Sequence, residues 1–345
     1  MSAEDKELPS TRLDLPPGGV EPSRPRVCYT PRRGEGKDSS ATAKGLAGAP
    51  VAPAHVDRAR PPSHNPQVIY PTLAQRAADV ARHYDELDIP YRRIWGEHVH
   101  HGYWCTGRET PGEATEALVG LVAERLQVEP GDRGVDIGCG YGATAAWLAQ
   151  HCGAEVTALT LSEAQAAIGR TRPGITCLVR DWLDNRLPGK AFDFAYAIES
   201  SEHMVDKPRF FAEAARVLKR GGRFVVCAWL EGPEVTPWQA RHLLEPICRE
   251  GRLPSMGSRA DYEALAADAG FRLLDYVDIS RQVRRTWTIC LKRLAGSVFV
   301  DREIRRLALS RTTQNRDFIL SLPRLMLALR GGAMRYGVFT WQKAA

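Results

Sequence analysis

The sequence predicts a doubly wound α/β sheet with a helical insertion before its last strand. Three observations carry that expectation. From Gly134 onward, short apolar runs alternate with segments of helical periodicity. A turn dense in glycine follows the first run and opens the first helix of the series. With 345 residues, 43% of them hydrophobic, the chain is long enough to bury such a sheet on both faces.

Residues 1–66 are rich in Pro, Gly, Ser, Ala and charge and poor in aromatics, so they are expected to be disordered. Order is expected to begin near "TLAQRAADVARHYDELDI", where Leu73, Ala77, Val80, Tyr84 and Leu87 recur at helical spacing. "GVDIG" then reads as a buried strand and "ATAAWLAQHC" as a helix. "AEVTALT" reads as a second strand, and "SEAQAAIGRT" as a helix capped by Ser162. "ITCLVR" and "FDFAYAIE" continue the strands, and the helix in "KPRFFAEAARVLK" is expected to close at Gly221-Gly222. "RFVVCAWL" is a fifth strand, followed by the helix "RADYEALAADAG", "FRLLDYVDIS", a basic helical region over 286–332 and a final strand "RYGVFTWQ". Strand–helix alternation implies parallel pairing.

Charge excludes one class of partner. The net charge is +6, but residues 281–345 hold fourteen Lys/Arg against three Asp/Glu, while the body between residues 67 and 280 is net acidic. An acidic body with one basic segment is not the overall signature of a nucleic-acid binder. The eight cysteines lack any Cys-x-x-Cys pair and several lie in apolar runs, which points to thiols in a reducing, cytoplasmic setting. No apolar stretch follows the start as in a secretory signal, and "FILSLPRLMLALRGGAM" is interrupted by Pro323, Arg324 and Arg330 before it could span a bilayer. That stretch suits a bulky apolar ligand, peripheral contact with an anionic membrane, or an ordinary packed helix with a solvated basic face.

The most informative motif is "VDIGCGYGA", residues 135–143. Its glycines allow unusual backbone angles and close approach of a ligand. The spacing also fits the dinucleotide fingerprint, so a nicotinamide cofactor is an alternative. Asp136, two residues before Gly138, separates the two: a carboxylate suits an ammonium group and repels a pyrophosphate.

Here the chain resembles the class I S-adenosylmethionine-dependent methyltransferases, whose fold is a Rossmann-like doubly wound sheet. "ALTLSEAQ" and "RDWLD" are similar to segments of the sterol, cyclopropane-fatty-acid and tocopherol methyltransferases. "AIESSEHMVDK", "YGVFTWQKAA" and "IWGEHVHHGYW" resemble gamma-tocopherol methyltransferases in particular. The resemblance covers about residues 75–345. It implies S-adenosylmethionine as cofactor, bound by Asp136, Gly138 and Gly140, with Thr160 and Gln165 on the ribose and adenine side. It implies that Asp181 and Trp182 clamp the adenine, and that Tyr84, His101, Gly102, Tyr103 and Glu199 also touch the cofactor. Trp95, Trp104 and His203 would line the acceptor pocket. The implied division is a lid over 70–130, a cofactor-binding core over 131–285, a helical cap over 286–334 and a last strand at 335–343.

Glu202 and His203 follow the fourth strand, at the end of the sheet where ligands bind in such folds, and are the candidate general base and its orienter. His203 capping or packing at a helix start is the plainer alternative. The cluster His98, His100 and His101 is open to three readings: metal ligands, packing, or a pocket wall. Methyl transfer from a sulfonium needs no Lewis acid, so no metal is expected. The expected acceptor is a lipophilic small molecule such as a tocopherol-like or other prenylated phenol. An alkaloid-like amine, and a silent protein that binds cofactor or lipid without turnover, are the alternatives.

Overall fold

The computed structural model describes residues 68–72, 75–302, 305 and 321–344. The expected N-terminal extension, Leu73 and most of 303–320 in the cap lie outside the described residues. Seven strands form one sheet in the order β3-β2-β1-β4-β5-β7-β6. They are β1 (Arg133–Ile137), β2 (Glu155–Thr160), β3 (Ile175–Val179), β4 (Phe192–Ile198), β5 (Leu218–Glu231), β6 (Phe271–Asp278) and β7 (Met334–Lys343). Pairing is parallel from β3 through β5. β7 runs antiparallel between β5 and β6, so the sheet is mixed where strand–helix alternation predicted only parallel neighbours. A hairpin-like insertion of one reversed strand changes no residue's propensity, so periodicity does not register it.

The helices are α1 (Ala77–Glu86), α2 (Asp88–Ile94), α3 (Pro111–Leu126), α4 (Ala143–Cys152), α5 (Glu163–Gly169) and α6 (Lys207–Val217), with further helical segments beyond. Their starts follow sequence chemistry. Thr110 and Glu113 form a capping box before α3, Ser162 accepts from the Gln165 amide at α5, and Asp206 caps α6. α3 packs on β4 and β5, so part of the expected lid is a layer of the sandwich. Burial on both faces comes from two apolar clusters, one around Leu118, Tyr196 and Trp287, the other around Phe211, Phe224 and Trp341.

Two differences from expectation have local causes. α6 ends at Val217, and Gly221-Gly222 do not cap it: they sit in an irregularity of β5, where Phe192 pairs with Leu218 but Phe194 with Arg223. Gly221 there has φ +74°, open to glycine and strained for other residues. Residues 237–250 are helical, with a π-turn over Ala240–Leu244. Pro246 lacks an N–H and crowds the carbonyl four residues back, which displaces the regular ladder. The Thr236–Gln239 capping box with Pro237 was the legible signal for this helix.

Candidate active site

A cleft open to solvent, with about 1020 Å³ of space in and over it, lies at the carboxyl ends of β1, β2 and β4. The glycine loop forms its floor. Gly138, Gly140 and Gly142 all have positive φ, at +81°, +52° and +71°. The Gly138 and Cys139 amides donate to the Leu159 carbonyl, tying the loop to β2. A Cβ on Gly138 would lie 2.4 Å from that of Ser200. A Cβ on Gly140 would meet only Val99, at 4.0 Å, so it would project into space between the loop and the segment above it. Asp136 is buried beside this floor, next to the Tyr196 hydroxyl, and burial pushes its carboxyl up to about 7. The open cradle at Gly140 leaves room for the backbone to meet the amino-acid end of a sulfonium cofactor.

The far wall is built from β2 and β3. Thr160 Oγ1 donates to Gln165 Oε1 (2.7 Å) and accepts from the Ser162 amide, so its hydroxyl orients Gln165 and leaves that side chain's amide hydrogens available. Asp181 accepts from the Leu183 amide (2.9 Å) as the cap of a short turn. The Trp182 N–H donates to the Phe210 carbonyl (3.1 Å), so this ring is rooted in the core and still faces the cleft. Arg180, which the sequence did not single out, lines the same wall.

The segment "EHVHHGYW" reaches the cleft with different residues from those expected. Glu97, His98, Val99 and His100 line it. His101, Gly102 and Tyr103 do not, and Trp104 lines neither this cleft nor the chamber beside it. The reason is backbone anchoring on the other side. The Gly102 amide donates to Thr286 Oγ1, the Tyr103 amide to the Ala114 carbonyl and the Trp104 amide to the Gln282 carbonyl. A Cβ on Gly102 would lie 2.7 Å from that of Ala114, so this glycine serves packing. Trp104 lies under the Arg285 guanidinium, 4.8 Å from its ring centroid.

The histidines resolve into a polar relay. His100 Nδ1 donates to the His101 carbonyl (2.8 Å), which leaves Nε2 to accept from the Thr144 hydroxyl (3.4 Å). Thr144 then accepts from His98 Nδ1 (3.3 Å), and the His98 Nε2 lone pair remains. Burial lowers His98 to about 3 and lowers His100 as well, so both are neutral at physiological pH. Among the described residues, no three His, Cys, Asp or Glu side chains gather in a set able to hold a metal ion.

Beside the cleft lies a second chamber of about 480 Å³, lined by Tyr84, Tyr91, Trp95, Trp229, Trp287 and Leu253 with Glu199, Glu202 and His203. Trp95 lines this chamber, and so do Tyr91, Trp229 and Trp287, which the sequence did not single out. Tyr84, Val99, Glu199 and His203 face both cavities. Glu199 ends β4 with φ +54°, a strained conformation for a non-glycine residue. Its carboxylate accepts from the His101 amide (2.6 Å), His101 Nδ1 (2.9 Å), Trp229 Nε1 (3.2 Å) and the Tyr336 hydroxyl (2.8 Å). Burial alone would raise this carboxyl, and the interactions with His101 outweigh that and hold it below the usual range.

Glu202 accepts from the Trp229 amide (2.6 Å) and Ser201 Oγ (2.9 Å), yet burial, aided by the charge of Glu199, pushes it up to about 7. His203 Nδ1 faces the Arg252 carbonyl (3.3 Å) and so carries a proton, which leaves Nε2 to accept from the Tyr84 hydroxyl (3.0 Å). Burial lowers this imidazole to about 4. The chamber's roof, Gly251 to Leu253, is held from the cap: Arg324 Nη1 donates to both oxygens of Glu250 (2.6 and 2.8 Å).

Comparison with known proteins agrees with this architecture. The family described as "Methyltransferase domain" matches residues 135–226, which run from within β1 to within β5. The chain is 27% identical over 290 residues to the chloroplastic tocopherol O-methyltransferase of Arabidopsis thaliana, covering 76% of this chain and 81% of that one. It is 30% identical over 226 residues to the 27-O-demethylrifamycin SV methyltransferase of Amycolatopsis mediterranei, covering 63% and 82%. Its fold aligns with a cyclopropane synthase of Mycobacterium tuberculosis at a TM-score of 0.68 and 23% identity, over 79% of this chain and 100% of that one. With an open glycine cradle, a buried carboxyl beside it and these relatives, the chain belongs to the class I S-adenosylmethionine-dependent methyltransferases and uses S-adenosylmethionine as its cofactor.

Proposed function

We propose that this enzyme methylates a lipophilic small molecule bearing an activated hydroxyl group, a tocopherol-like or other prenylated phenol being the best-supported class. The observation that carries this reading is the aromatic chamber, with a carboxyl near neutrality in its wall, joined directly to the cofactor cleft. Two relatives named above are O-methyltransferases or act on an oxygen-bearing product scaffold by their names, which supports an oxygen acceptor.

S-adenosylmethionine supplies an electrophilic methyl group with a neutral leaving group. Everything else is assigned to the chain. Asp136, Gly138 and Gly140 hold the amino-acid end, with His98, Val99 and His100 covering it. Gln165, oriented by Thr160, and Asp181 with Trp182 hold the nucleoside end. Tyr84 and Glu199 form the partition at the reacting centre. The acceptor lies against Trp95, Tyr91 and Trp229, and the chain's main contribution is to hold its nucleophile within about 3–3.5 Å of the methyl carbon, in line with the departing sulfur. Glu202 takes the acceptor's proton, because a base near pH 7 combines the right protonation state with useful basicity. His203 is a positioning residue: its lone pair is engaged by Tyr84, and burial holds it neutral.

An amine acceptor has one observation in its favour: the ionised Glu199 stands at the wall of a chamber that Trp95, Trp229 and Trp287 also line, and carboxylate with aromatic rings attracts an ammonium ion. Among the described residues no helix is long and apolar enough to cross a membrane. All seven described cysteines are thiols, which supports a cytoplasmic setting. The exposed Leu327 on the cap helix Leu322–Arg330 beside exposed Arg330 supports peripheral membrane contact.

A screen of lipophilic phenols, quinols and amines with isotopically labelled methyl donor, read by mass spectrometry, tests the acceptor class. Label on oxygen or on a ring carbon of a phenol is expected; label on nitrogen alone would replace the reading with the amine. His203→Ala is expected to lower kcat severalfold, the scale of one lost hydrogen bond, and Tyr84→Phe should match it. The pH profile of His203→Ala should keep its wild-type shape. A flattened profile would move the base from Glu202 to His203.

A further inference from the structure

We infer that Tyr141 is a positioning residue: from the cofactor loop its hydroxyl holds the start of α2, and through α2 it ties the wall of the acceptor chamber to the state of the cofactor site. The inference deepens the proposed function and rests on the aromatic chamber being the acceptor site.

α2 supplies that wall. Tyr91 lies within it, Trp95 directly follows it, and both line the chamber. Leu87 stands at the N-cap of α2, and no side chain caps the helix there. The two ends of α2 are held from different parts of the molecule. At the far end, Arg293 Nη1, on the helix Arg285–Val300, donates to the Ile94 carbonyl (2.6 Å). At the near end, the Tyr141 hydroxyl donates to Asp88 Oδ1 (2.8 Å), with the Asp88 carbonyl 3.2 Å away.

Tyr141 belongs to the glycine loop, between Gly140 and Gly142, and its ring is buried. A phenylalanine would fill the same volume, so packing does not account for the hydroxyl; the bond to Asp88 does. A second thread from the same residue is weaker. The Tyr141 carbonyl accepts from Arg172 Nε (2.7 Å), but that guanidinium stands 3.5 Å from Glu97, whose side chain is 76% exposed. Such an exposed pair contributes little. The hydroxyl is therefore the main connection between loop and α2.

A ligand that orders the glycine loop lowers the cost of holding α2 in place. By reciprocity, an acceptor resting against Tyr91 and Trp95 strengthens cofactor binding. No described residue of α2 lines the cofactor cleft, so a response of α2 to the cofactor is transmitted rather than direct.

Hydrogen exchange of the full-length protein, read by mass spectrometry with and without saturating S-adenosylhomocysteine, tests this link. In wild type the ligand should slow exchange in the glycine loop and, by about tenfold, at the amides of α2, a usual scale for coupling between sites. Tyr141→Phe should keep the loop effect and shrink the α2 effect to within about twofold. Asp88→Ala removes the main acceptor, leaves the loop residue untouched and should lose most of the α2 effect as well. Asp88→Asn should behave as wild type, because its amide oxygen still accepts from the hydroxyl while the charge pair with Arg92 (3.5 Å) is gone. An α2 indifferent to the ligand in wild type overturns the inference. Undiminished α2 protection in Tyr141→Phe does so too, by routing the response through α1, and loss of protection in Asp88→Asn would assign it to the charge pair. No acceptor enters the experiment. A screen that finds no methylated hydroxyl compound would therefore remove the acceptor class and leave the link between loop and α2 standing.

Discussion

Glu202→Gln is expected to lower kcat by about 10²–10⁴-fold, the usual contribution of a positioned general base. The change is isosteric: the amide oxygen can keep the bond from the Trp229 amide, and the Ser201 hydroxyl, now facing the new NH2, can turn to accept from it. Cofactor affinity should therefore stay near wild type, which calorimetry checks. The pH dependence gives a second reading. The buried carboxyl lies near 7 rather than 4.5, so below pH 7 it is mostly protonated and cannot accept a proton. Wild-type kcat should rise as pH passes upward through about 7. In Glu202→Gln that limb should vanish, and activity should recover only where the acceptor ionises unaided. A variant that keeps the wild-type rate and the rising limb would remove Glu202 from the chemistry. An amine acceptor makes a different demand, because its nucleophile is already neutral and basic once unprotonated; the glutamine variant would then lose acceptor positioning and little else.

Gly140→Val is expected to weaken S-adenosylmethionine binding by on the order of 100-fold or more, with a fold that survives. Two effects add. The backbone at φ +52° is accessible to glycine and strained for a β-branched residue, at about 1–3 kcal/mol. The new side chain would also enter the gap between the loop and Val99, where nothing but that methyl lies within 4 Å. Because the space is empty, the protein should tolerate the volume while the ligand cannot. Gly138→Ala would differ, since its Cβ collides with Ser200 and should cost stability as well as binding. Unchanged affinity in a folded Gly140→Val protein, measured by calorimetry with the melting temperature as control, would show that the loop does not cradle the cofactor.

The floor of the cleft was legible because its chemistry dictates residue types. Only glycine accepts three left-handed positions in five residues, and Asp136 in front of them speaks for a cation. Glu202 and His203 were legible by their place at a strand's carboxyl end. The register of "EHVHHGYW" was not. Alternation places two histidines on one side, but which side faces a ligand depends on amides that Thr286, Ala114 and Gln282 receive or bind from distant segments. Trp229 and Trp287 were illegible for the same reason: each looks like a core tryptophan, and only tertiary packing turns its ring toward a chamber. The reversed β7 escaped because strand direction is set by connectivity, while the residues within the strand read alike both ways.

The partition between the two cavities is assembled across great sequence distance. Tyr84 reaches His203 over 119 residues, and His101 reaches Glu199 over 98. None of these bonds belongs to the ladder that holds the sheet together. The segment carrying Tyr84 to Tyr103, which also packs Leu87, Tyr91 and Tyr103 into the core, is therefore expected to open at lower free energy than global unfolding. Amide hydrogens of α1 and α2 should exchange with solvent sooner than those of β1, β4 and β5, and bound S-adenosylmethionine should slow the former selectively. On the proposed assignment of the two cavities, each opening of that unit would dismantle cofactor site and acceptor site together, and the rate at which it recloses would set an upper limit on how fast a loaded enzyme can form.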